Sequence, residues 1–145
     1  MFRLRHRSPP CHRDSGTTLT VKKALRVLGF GLRHLRIASV NAFGQIDVSQ
    51  LPPLDDRTIL CLQAGEVNTG EFDDFAQIIP IAKAAGAWVH VDGAFGLWAR
   101  ASSHAVLTDG IELADSWTTD AHKWLNPPTT ARWRFAAMRT CWPRR

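Results

Sequence analysis

The 145-residue sequence has no tyrosine, and its three cysteines (Cys11, Cys61 and Cys141) are too few and too scattered for a disulfide framework or a zinc site. No metal is therefore expected, and a reducing, cytoplasmic compartment is. No apolar run approaches the roughly 18–20 residues of a membrane-crossing helix, so a membrane partner is not expected. The first fourteen residues lack the apolar stretch of a secretory signal, although their arginine-rich, acid-poor composition weakly mimics a transit peptide. No Gly-x-Gly-x-x-Gly follows an apolar run, and the Gly65–Gly70 loop lacks the Gly-Lys-Ser/Thr ending of a phosphate loop. Nucleotide binding is thus without support. Repeats and long low-complexity tracts are also missing.

What is present fits one soluble α/β unit. Hydrophobic residues make up 45% of the chain and charged ones 21%, the range of a globular domain. The formal net charge of +5 is unevenly placed. Arg3, Arg5, Arg7 and Arg13 face one acid in residues 1–14, and five arginines face none in residues 132–145. Residues 15–131 hold nine Lys or Arg against twelve Asp or Glu. A basic chain invites a nucleic-acid reading, with Trp133 and Trp142 available for stacking. Here that reading rests on the two ends alone, and nucleic acid is not the expected partner.

Periodicity predicts a helix over Thr20–Phe30, a strand over Arg36–Val40 and a connection over Val48–Asp56. Thr58–Leu62 is the apolar run of a strand buried on both faces. Phe75, Ile78, Ile79 and Ala82 mark a helical face capped by Asp73 or Asp74, which Pro80 should kink or shorten. Ala87–Val91 reads as a strand, Ala105–Leu113 as a possible helical stretch, and Asp115–Thr119 as a further strand. Alternating strands and helices predict a parallel sheet.

Two features carry potential chemistry. His90-Val91-Asp92-Gly93-Ala94 ends a strand with an acid, at the edge where open α/β sheets bind ligands. A carboxylate there can keep a heterocyclic nitrogen protonated, although alone the motif is an ordinary Asp-Gly turn. Asp120-Ala121-His122-Lys123-Trp124 follows the next strand. A desolvated lysine is a Schiff-base nucleophile, but most lysines are solvated, and a single histidine is more often structural. Together, an acid after one buried strand and a lysine 31 residues later after another make the pair that pyridoxal phosphate requires.

At this point the sequence resembles the group II pyridoxal-phosphate-dependent amino acid decarboxylases, a family that includes glutamate, aromatic amino acid and diaminobutyrate decarboxylases. The resemblance lies in LTVKKALRVLGFG, QAGEVNTGEFD, AWVHVDGAFGLWA and GIELADSWTTDAHKWLNPP. It implies part of a type I, aspartate-aminotransferase-like large domain, with an incomplete parallel sheet, over residues 19–128. It further implies pyridoxal 5′-phosphate as cofactor, an amino acid as substrate and a homodimer for intact members. By position, Lys123 is the Schiff-base lysine, Asp92 the partner of the ring nitrogen, and Ala94 a ring-face contact. Asp120 and His122 fall where the family contacts the phosphate or lines the pocket. Cysteine desulfurases and other type I lyases share the VDGA and His-Lys elements, but IELADSW before DAHKW favours decarboxylases.

The chain also departs from that pattern. Thr18 stands where the family has a ring-stacking histidine, and Glu66 and Val67 stand where threonines or an asparagine are common. Residues 1–18 form an atypical basic segment. After Asn126 the family continues Pro-Tyr-Asp-Ser/Gly, then apolar residues and a phenylalanine. Reading residues 129 onward in a shifted frame, with CGN arginine codons, permits Tyr, Asp, Ser or Gly, Ala, Leu, Ala and Phe. The basic tail 129–145 is therefore expected to be out of frame, and the product to be weak or inactive alone.

Overall fold

The computed structural model describes residues 11–13, 19–29, 35–127 and 132–137. In chain order these contain β1 (Cys11–Arg13), α1 (Leu19–Val27), β2 (Arg36–Ala38), β3 (Ile59–Gln63), α2 (Phe75–Ala84), β4 (Trp88–Asp92), β5 (Ser116–Asp120), α3 (Ala121–Trp124) and β6 (Arg132–Ala136). The strands form one six-stranded sheet of order β2-β1-β3-β4-β5-β6. All pairings are parallel except β5 with β6.

The central strands obey the period of two that distinguishes the faces of a sheet. Leu60, Leu62, Val89 and Val91 are fully buried on one face, where Phe75, Ile78, Ile79 and Ala82 of α2 complete the core. The alternate residues, including Cys61, Gln63, Trp88, His90 and Asp92, are half-buried on the other face. The run at Thr58–Leu62 thus has one fully buried face and one half-buried face, carrying Ile59 and Cys61, not the two dry faces expected of it.

Buried carboxylates tie the layers together. Asp73 accepts from the Ile46 and Gln63 backbone N–H groups at 2.9 and 2.8 Å. Asp115 accepts from Val89 N at 2.8 Å and pairs with Lys83 of α2. Asp74 caps α2 by accepting from Gln77 N at 3.0 Å. Gly86, at φ +79°, turns the chain from α2 into β4, a conformation that suits glycine.

Several expectations need correction. Of the kink or shortening expected at Pro80, shortening does not occur there: α2 runs on to Ala84, with the ring on the exposed side while Ile78 and Ile79 anchor the helix to the sheet. Ala105–Leu113 is no α-helix but two 3-10 turns, Ala105–Thr108 and Ile111–Leu113, separated by an extended Asp109 and by Gly110 at φ +82°. A third 3-10 turn spans Gly96–Ala101. β1 falls inside the N-terminal segment read as atypical, and β6 inside the tail read as out of frame; neither strand was expected. Thr18 and residues 138–145 lie outside the described residues. Among the described residues no helix is long and apolar enough to cross a membrane, and no cluster of three metal-ligating side chains forms.

Candidate active site

Because β3, β4 and β5 run parallel, their last residues, Gln63, Asp92 and Asp120, arrive at one edge of the sheet. In open α/β sheets ligands bind outside this carboxyl edge. A cleft of about 520 Å³ opens there, and all three residues line it with Ala94 and Lys123. Four of the five site residues expected from the sequence thus share one cavity. His122 is the exception: it does not line the cleft, and its Nδ1 is buried without a hydrogen-bond partner.

Local geometry fixes the acid. The Ala94 N–H donates to Asp92 Oδ1 at 3.1 Å, closing the turn at the strand end. The intervening Gly93 sits so tightly that a Cβ there would come within 2.6 Å of Leu97 Cβ. The amine arrives from the next strand. Lys123 lies in the single turn of α3, with Nζ 3.1 Å from Asp120 Oδ2 and 3.9 Å from the Phe95 ring centroid. Both are contacts of an ammonium group. Only 24% of the Lys123 side chain is exposed.

Other wall residues are not among the site residues expected from the sequence, although the Gly65–Gly70 loop is one that the sequence marks as able to approach a cofactor closely. Phe95 follows Ala94, and Trp133 and Arg134 enter from β6. His90 shares the cleft face of β4 with Asp92, and strand alternation alone could have revealed it. Burial pushes the His90 imidazole below its ordinary value; Asp92 opposes that shift and Arg134 adds to it. The Gly65–Gly70 loop closes another side. Gly65 holds φ +76°, and a Cβ on it would lie 2.9 Å from Gly96 N. Buried Glu66 braces the loop by accepting from Asn68 N at 2.7 Å and Thr69 N at 2.8 Å. Burial works to raise its pKa, but these bonds and those from the Asn68 and Thr69 side chains prevail and lower it.

The arrangement offers an anchored carboxylate and an amine within reach of a second carboxylate. A planar heterocycle carrying a protonatable nitrogen and an electrophilic carbon fits this set of groups.

Comparison with known proteins bears on what such a cleft belongs to. An aromatic-L-amino-acid decarboxylase of Bacillus atrophaeus is 32% identical over 121 residues, 77% of this chain and 25% of the relative. An L-2,4-diaminobutyrate decarboxylase of Acinetobacter baumannii is 29% identical over 113 residues, 72% of this chain and 22% of the relative. The chain therefore spans about a quarter of the length of these curated relatives. The glutamate decarboxylase domain of a Vibrio parahaemolyticus diaminobutyrate-pyruvate transaminase and L-2,4-diaminobutyrate decarboxylase superposes with a TM-score of 0.76 at 26% identity, covering 86% of this chain and 29% of that one. Mouse CSAD in apo form, at 22% identity and TM-score 0.80 over 92% of this chain and 30% of that one, shares the fold. Residues 14–134 match the pyridoxal-dependent decarboxylase conserved domain, a span that holds the acid, the lysine and the strands that bring them together. This decides between the decarboxylase and desulfurase readings: the chain belongs to the pyridoxal-dependent decarboxylase family.

Proposed function

We propose that this chain forms part of the pyridoxal 5′-phosphate site of an amino acid decarboxylase, with Lys123 as the residue that joins the cofactor covalently. One observation carries the reading: Asp92 and Lys123, brought by different strands, line the same cleft at the carboxyl edge of the sheet. When bound, pyridoxal phosphate supplies an electron sink for the pair left behind as a carboxylate departs as carbon dioxide.

The chain's own residues have separate tasks. Asp92, its carboxylate held by the Ala94 N–H, keeps the ring nitrogen protonated. Ala94 offers a small side chain beside the ring. Asp120, 3.1 Å from Lys123 Nζ, is placed to take the proton the ammonium must lose before it can act as a nucleophile. Residues 19–128 form this portion of the cofactor-binding domain, flanked by the basic segments 1–18 and 129–145.

A homodimer and a cytoplasmic location belong to the same proposal by family resemblance. The exposed Trp124 and Leu125 beside the site suit a surface covered in a larger assembly. Relatives with aromatic and diamino substrates resemble the chain to similar degrees, so the substrate class proposed is amino acids without further division.

The test is covalent capture. The full chain is mixed with pyridoxal phosphate and reduced with borohydride, and peptide mass spectrometry locates the added pyridoxyl group. Modification concentrated on Lys123 and lost in Lys123→Ala is the expected result. Equal modification of Lys22, Lys23, Lys83 and Lys123 would remove the assignment.

A further inference from the structure

The strand register lays one row of residues across β3, β4, β5 and β6. Gln63 stands opposite Asp92, Asp92 opposite Thr118, and Thr118 opposite Arg134. Residues directly opposite on paired strands share a face of the sheet, and all four of these line the cleft. Strand pairing itself thus brings a guanidinium from β6 to the site. Arg134 stands where the family's continuation has apolar residues, so this group is particular to the chain.

Three basic side chains line the cleft: His90, Lys123 and Arg134. Burial pushes the His90 imidazole toward its neutral form. Lys123 Nζ lies 3.1 Å from Asp120 Oδ2. Arg134 is exposed, and among the described residues no carboxylate pairs with it. Its charge is nevertheless felt within the cleft, at His90.

We propose that Arg134 binds the phosphate group of pyridoxal phosphate. The inference rests on the reading of Asp92 as the partner of the ring nitrogen and of Lys123 as the residue that takes the aldehyde. In the cofactor the aldehyde stands on the ring carbon opposite the nitrogen, and the phosphate arm on the carbon beside it. The phosphate therefore lies toward the aldehyde end of the ring. The strands present their groups in the same order: the acid ends β4, the lysine follows β5, and the guanidinium belongs to β6. Two strand spacings, about 10 Å, separate β4 from β6, a span that the ring, its phosphate arm and an arginine side chain cover together.

Charge points the same way. A phosphate monoester carries nearly two negative charges at neutral pH. With Asp92 given to the ring nitrogen and Lys123 to the aldehyde, the ligand needs a further cation. The planar guanidinium offers paired N–H donors that match phosphate oxygens, and Thr118 brings a hydroxyl to the same row.

The test compares pyridoxal 5′-phosphate with pyridoxal, which lacks the phosphate, on the full chain. Each ligand is titrated and trapped with borohydride, and peptide mass spectrometry measures the fraction of Lys123 modified. Arg134→Gln should raise the half-saturating concentration of pyridoxal phosphate about five- to twentyfold, the worth of a charge-assisted hydrogen bond reduced by exposure. It should leave that of pyridoxal unchanged, which also reports a folded site, and Arg134→Lys should recover part of the loss. Unchanged capture of pyridoxal phosphate by Arg134→Gln overturns the proposal. So does an equal loss with both ligands, which makes Arg134 a structural support of β6. Absence of capture at Lys123 in the wild type, with either ligand, overturns the underlying reading of Lys123 and the phosphate assignment with it.

Discussion

On β4, Val89 and Val91 lie fully buried against the layer of α2, while their neighbours Trp88, His90 and Asp92 are half-buried on the opposite face. The two faces also treat polar groups differently. On the core side, buried Asp73 and Asp115 are satisfied by backbone N–H groups and, for Asp115, by Lys83. On the cleft side, Asp92 accepts from Ala94 N and Asp120 lies beside the Lys123 amine, and all three charged side chains line an open cavity. A satisfied buried carboxylate holds elements together, whereas charged side chains that converge on an open cavity invite a ligand. The comparison predicts that core-face substitutions are read in stability and cleft-face ones in ligand capture.

The largest effect belongs to the core. Phe75→Ala removes a fully buried ring between α2 and the sheet, and should cost about 3–5 kcal/mol in urea unfolding of the full chain. A loss under about 1 kcal/mol would break the comparison by showing that the α2 layer does not bear on stability. Asp115→Ala comes next. It strips Val89 N and Lys83 of their partner and should cost about 2–3 kcal/mol, with the Lys83 share reduced by its partial exposure. Lys123→Ala should move stability by under about 1 kcal/mol, because its ion pair is partly solvated, yet abolish covalent capture of pyridoxal phosphate. A variant that unfolds, or that still captures, would erase the distinction between the faces.

The same division explains what the sequence revealed. The apolar runs of β3 and β4 and the 3–4 spacing of Phe75, Ile78, Ile79 and Ala82 report burial directly, so those elements lie within a residue or two of their expected bounds. Asp92 and Lys123 were found because a strand end and a strand-helix junction are marked by local chemistry. His90 was not, because its contact with Ser116 comes from the neighbouring strand, and cross-strand register is not written in local spacing. β1 is three residues long and carries no period to detect. β6 does carry one: Arg132-Trp133-Arg134-Phe135-Ala136 alternates basic and apolar residues. That signal was set aside because the tail departs from the family's continuation after Asn126 and reads like it in a shifted frame. Antiparallel pairing uses backbone groups, so a segment of unexpected sequence can still extend the sheet.

Acid and near-neutral pH should separate two residues of the cleft wall by smaller effects. The folded chain holds His90 below its ordinary value, chiefly through burial, so near pH 6 the unfolded chain binds more protons. The contribution of a neutral His90 is complete above the unfolded value and is lost as pH falls through that value toward the lowered folded one. Glu66 is also held low, its hydrogen bonds from residues 68 and 69 outweighing burial. Its contribution is present above the ordinary carboxylate value and disappears only as pH falls through the lower folded one. Chemical unfolding across pH 3–8 should therefore show two limbs. His90→Gln should flatten the limb below pH 6.5, and Glu66→Gln should remove part of the acid limb while lowering stability at pH 7. If His90→Gln left the upper limb intact, the imidazole would take up its charge in the folded chain as readily as in the unfolded one. The cleft would then hold a second cation beside Asp92, and the contrast between a sealed face and a face open to ligands would lose its electrostatic basis.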